Sequence, residues 1–158
     1  MIAIELKKCS DKLLITMAEE LENPEELERL LQYNEELLCR PIASNKHTNK
    51  SILSLLYLEY KEVVVWPLIK NESTPDDVLH DIAVYCSVGQ AEELIHNGSL
   101  APCDIDLLVD RFINNEYIVK AAIKNEKTSG STLVKIANKY PEHVEQVLSS
   151  GKVFLSAK

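Results

Sequence analysis

Glycine and proline are scarce in this chain, at four and six of 158 residues. That scarcity excludes a flexible Gly/Pro-rich polymer, and 46% hydrophobic residues suffice for a packed core. Long apolar runs are also missing. No stretch approaches the ~18 apolar residues that cross a bilayer, and the opening "MIAIELKKCSDK" is too short in its apolar part for a signal peptide. The expectation is a single-domain, cytosolic protein with no membrane contact.

Cysteine spacing excludes a second set of functions. Cys9, Cys39, Cys86 and Cys103 contain no CxxC pair, so reduced, packed thiols are expected rather than disulfides or a metal site. His47, His80, His96 and His143 are equally dispersed and lack the close spacing of zinc ligands. There is no phosphate-binding loop, no HExxH and no nucleophile elbow. "DIDLLVD" (Asp104, Asp106, Asp110) lacks the glycine and terminal glutamate of an EF-hand loop, and "NGS" at Asn97 is an idle sequon without secretion. The expectation is a non-enzyme with no catalytic residue, no cofactor and no metal.

Positive charge is absent from one long block. Residues 71–110 carry nine acids and no Lys or Arg, and residues 19–36 have a net charge of −7. Residues 37–70 and 111–158 are net +3 and +4, within a total of −8. Such a balance argues against nucleic acid, because phosphate-backbone binding depends on Lys and Arg displacing counterions.

What the chain does have is repetition. "LIKNESTPDDVLHDIA" at 68–83 and "AIKNEKTSGSTLVKIA" at 122–137 share Ile, Lys, Asn, Glu, Thr, Leu, Ile and Ala at the same positions. Taking the Asn as marker, the series runs Asn45, Asn71, Asn97, Asn125 and Gly151, with spacings of 26, 26, 28 and 26. Asn or Gly at every step suits a left-handed residue closing a helix. Ile42–Ala43, Leu68–Ile69, Leu94–Ile95 and Ala122–Ile123 stand just before the markers. Leu53 and Leu56, Leu79 and Ile82, Ile105 and Leu108, and Leu133 and Ile136 stand eight and eleven residues after them. These spacings mark one apolar face per helix. Thr48, Thr74 and Thr128, three residues past the marker, read as N-caps. The two extra residues before Asn125 fall at Asn114–Asn115, in the turn between paired helices.

Each unit is thus a helix pair that cannot bury its apolar face alone, so neighbours must stack. The expected fold is all-α: a right-handed α-solenoid of about five ~26-residue repeats, in one domain spanning 1–158. Residues 1–37 form an N-terminal helical cap and divergent first repeat with Glu19 in the marker slot. Residues 38–151 form the repeats, and 152–158 a tail.

The stretches "PIASNKHTNKSILSLL" and "PLIKNESTPDDVLHDIA" resemble units of the leucine-rich repeat variant (LRV) family, an α-solenoid class related to HEAT and armadillo repeats. The resemblance implies helices alternating with shorter 3₁₀-like ones, with Pro41 and Pro67 leaving only one regular turn there. It implies no shared activity. The cysteine cluster that holds an iron–sulfur site in one LRV type is missing.

Trp66 stands in the marker −5 slot, where other units place Arg40, Glu92, Lys120 and Gln146, so a solvent-facing position is expected. A lone exposed Trp suits a binding anchor, and its alternative is to fold over Pro41 or Pro67. With Trp66, the candidate partner-binding residues are Asp76, Asp77, Asp81, Glu92, Glu93, Asp106 and Asp110. Glu92 and Glu93 are expected near Trp66. The functional expectation is a non-catalytic protein-binding scaffold whose acidic middle repeats receive a basic surface, with a toxin-neutralising inhibitor as one version. Its rivals are a HEAT-like nucleic-acid-processing enzyme and a structural subunit of an assembly.

Overall fold

The computed structural model describes residues 6–153, and every regular element among them is helical. The chain forms two compact units, residues 1–78 and 79–158. The first contains α1 (Asp11–Glu20), α2 (Pro24–Tyr33), α3 (Glu35–Ser44) and α4 (Lys50–Lys70). Helix α5 (Asp76–Tyr85) carries the chain from one unit into the next. The second holds α6 (Val88–Leu94), α7 (Pro102–Phe112), α8 (Glu116–Lys124), α9 (Gly130–Lys139) and α10 (Val144–Ser149), with a 3₁₀ turn at Pro141–His143. No helix among the described residues is long and apolar enough to cross a membrane.

Local chemistry sets where these helices begin. Ser10, Asn23, Asn34 and Asn49 cap α1 to α4, each side-chain oxygen accepting a first-turn N–H. In the second unit Ser87 forms a reciprocal capping box with Gln90, while Asn115 and Ser129 cap α8 and α9. The apolar positions flanking the markers are all buried, from Ile42 and Leu68 in the first unit to Leu108, Ile123 and Ile136 in the second. Helix α3 packs on α1, α2 and α4, and α8 on α6, α7 and α9.

Around the asparagine markers the backbone differs from the left-handed expectation. Asn45, Asn71 and Asn125 are extended (φ −76°, −89° and −77°), and Gly151 alone among the described residues has positive φ. The side chain explains why asparagine serves here. In all four Asn residues Oδ1 accepts the N–H two residues on, at 2.8–2.9 Å, a closed Asx-turn. The amide nitrogen then reaches an earlier helix end. Asn45 Nδ2 donates to the Ala18 and Leu21 carbonyls at 2.8 Å, and Asn71 Nδ2 to those of Ala43 and Asn45 at 2.9 and 3.0 Å. In the second unit Asn125 Nδ2 donates to Ile95 at 2.6 Å. Glycine supplies neither bond, so extended Asn is the better solution wherever an earlier helix end needs a donor.

The threonines are not N-caps either. Thr48, Thr74 and Thr128 are buried, and each hydroxyl donates to the carbonyl six residues earlier at 2.6–2.7 Å. They satisfy orphan carbonyls of the preceding helix, and the residue after each is free to start the next one.

Other expectations give way for identifiable reasons. Pro41 and Pro67 lie inside α-helices rather than reducing them to single turns. Within 50–70 the expected pair of helices is present, two helical segments meeting at a kink where Tyr60 leaves helical geometry (φ −127°, ψ 30°). Helix α1 ends at Glu20 with Leu21 in the cap, two residues beyond Glu19. At the far end Val147 is buried and Leu148 only half-buried. The preceding 3₁₀ turn, with about 3.0 rather than about 3.6 residues per turn, rotates α10 relative to the α-helical register.

Candidate functional site

The chosen residues fall in both units, with Trp66, Asp76 and Asp77 in the first and the rest in the second. Trp66 follows buried Val65 and precedes buried Pro67, which places its indole on the outer side of α4, 41% exposed. It lines an open groove of about 430 Å³ with Arg40, Ser44, Pro67 and Lys70. Trp66 is thus exposed, in a groove that Pro67 also lines. The sign of the groove is the surprise, because its charged residues are cations. Asp76 and Asp77 occupy the exposed first turn of α5, where the helix dipole favours carboxylates.

Within the second unit, the acids that lack a cation in the sequence block find partners from outside it. Asp110 pairs with Lys135, and Asp106 accepts from the Ser129 hydroxyl at 2.9 Å. Both acids project from α7 toward α9, and their separation of four residues is one helical turn. Glu92 accepts from the Asn115 amide at 3.3 Å. With Glu93 and His96 it lines a groove of about 350 Å³ whose opposite wall is Tyr117, Lys120 and Lys124 of α8. Lys120 also pairs with Glu116 one turn away, which raises its pKa and lowers that of Glu116. Of the nine acids, Asp110 thus has a lysine partner, which comes from 25 residues further along the chain. Asp81, another of the candidates, is half-buried.

One carboxylate outside the candidate set matters more than its sequence context suggests. Asp104, 2% exposed, meets His80 Nδ1 at 2.6 Å, joining α7 to α5, and holds the His80 pKa above its ordinary 6.5. The Cys103 thiol, 3.9 Å from the same carboxylate, is exposed, against the expectation of packing. Cys39 and Cys86 are buried, and desolvation raises both pKa values. Arg111 donates to the Ala83 carbonyl and to that of Cys86 at 3.1 Å, closing the C-terminal end of α5. No group of three or more His, Cys, Asp or Glu among the described residues is arranged to hold a metal.

Sequence reasoning missed Arg40 and Lys70 beside Trp66, and His80 beside Asp104. A signal existed for Arg40: it occupies the same slot as Trp66 one period earlier. No family model matches the chain, and no curated protein or solved structure matches it.

Proposed function

We propose that the protein is a non-catalytic α-solenoid of LRV-like repeats that binds another protein. One observation carries this reading. The polar residues that recur with the period, Asn45, Asn71, Asn97 and Asn125 with Thr48, Thr74 and Thr128, bond to backbone. What is repeated is therefore architecture, and what varies between repeats, such as the Arg40, Trp66, Glu92, Lys120 and Gln146 slot, faces outward for recognition.

The partner presents a basic surface to the exposed carboxylates Asp76 and Asp77, supported by the net charge of −8. Glu92, Asp106 and Asp110, already paired within the second unit, contribute shape more than charge. Among basic partners, a nuclease neutralised by a small acidic inhibitor fits the charge and size. Co-purification at low salt tests the proposal. A specific protein retained by the wild type, and released on combining Asp76→Lys with Asp77→Lys, supports it. Equal retention by the charge-reversed protein rejects the acidic contact.

A further inference from the structure

We propose that the groove at Trp66 binds an acidic, extended peptide segment of a partner protein. This inference rests on the protein-binding reading but concerns a separate surface of opposite sign. The groove runs over the outer side of α3 and α4 and is lined by Arg40, Ser44, Trp66, Pro67 and Lys70. Among the described residues its charged lining consists of Arg40 and Lys70. Among the described residues no ion pair engages Arg40, so its guanidinium is available for bidentate recognition of a carboxylate. The indole and Pro67 offer an apolar floor for one side chain of the bound segment.

The floor is held in place. Asn71, directly after Lys70, is hydrogen-bonded to Ala43 and Asn45 at the end of α3, which fixes the C-terminal ends of α3 and α4 against each other. The Ser44 hydroxyl donates to the Arg40 carbonyl at 3.1 Å, and its oxygen remains able to accept a peptide N–H. A preformed floor lowers the ordering cost of binding. Charge argues for a short acidic segment rather than nucleic acid. The Arg40 guanidinium matches a carboxylate, whereas a phosphate array would meet Glu36 and Glu62, one turn before Arg40 and Trp66, and a net charge of −8.

Trp66 is the only tryptophan, so its emission reports on this groove alone. The probe is a capped pentapeptide of four glutamates around a central leucine, titrated at low salt against its lysine counterpart and an oligo-thymidine strand. The expected result is a saturable change in Trp66 emission with the acidic peptide, about tenfold weaker in Arg40→Glu and weakened by added salt. Arg40 is exposed, so that variant should keep the helical circular dichroism of the wild type. Lys70→Gln provides a second variant with the same expected direction. No saturable change, an equal response to the lysine peptide, tighter binding of the oligonucleotide, or indifference to Arg40→Glu would each overturn the proposal. The peptide assay does not involve Asp76 or Asp77, so its outcome is separable from that of the basic-partner contact.

Discussion

At the scale of single residues, the side chains that matter most are those bonded to backbone far away in sequence. Asn71 is 5% exposed and links three backbone groups, two carbonyls and the Ser73 N–H. Asn71→Ala removes all three bonds and takes the side-chain donor from the Ala43 carbonyl, while the Asn45 carbonyl keeps the Thr48 N–H, so it should cost about 1–3 kcal/mol. Urea denaturation checks this, and a loss well under 1 kcal/mol would show that water replaces the amide. His80 provides a pH readout. Its pKa is raised in the folded protein by Asp104, so the stabilisation is fully present below about 6.5 and fades as pH rises through the higher folded value. The stability gap between wild type and His80→Ala should therefore be larger at pH 6 than at pH 9. A gap independent of pH would mean that the bond to Asp104 does not depend on a charged imidazole.

At the scale of elements, burial outweighs surface charge. Leu79 on α5 and Ile136 on α9 are completely buried, and truncating either to alanine should cost about 2–5 kcal/mol by lost transfer energy and a residual cavity. The Lys135–Asp110 pair between α9 and α7 is half exposed at both ends, so Lys135→Ala should cost less than about 1 kcal/mol despite its close geometry. Thermal unfolding of the three variants side by side separates the two regimes. A Lys135→Ala loss as large as that of Ile136→Ala would contradict this ordering.

At the scale of the whole molecule, the net charge of −8 sets how a partner approaches more than how long it stays. For a basic partner, Asp76→Lys combined with Asp77→Lys should slow association and flatten its salt dependence. Asp106→Asn should change association little, because that carboxylate already accepts from Ser129. Stopped-flow association at several ionic strengths distinguishes the two, and equal effects would remove the distinction between the exposed first-turn carboxylates of α5 and Asp106.

The helices and their buried faces were legible in the sequence because burial follows periodicity: Leu53, Leu79, Ile105 and Leu133 hold one slot and all are buried. Charge blocks and the positions of Asn45, Asn71, Asn97 and Asn125 were legible for the same reason. Their conformation was not. A marker that ends a helix suits both a left-handed backbone and an extended one, and only carbonyls about 24–30 residues away decide in favour of the extended form. The candidate site divided in the same manner. The outward position of Trp66 followed from its slot, whereas the cations around it come from the end of α3 and the end of its own helix. Asp104 and His80 are 24 residues apart, and Asp110 and Lys135 are 25 apart, so no local pattern pairs them. The sequence by itself determined which faces are apolar and where charge accumulates, since both depend on neighbours along a helix. Tertiary structure alone decided which polar groups meet, because a hydrogen bond or ion pair depends on distance in space.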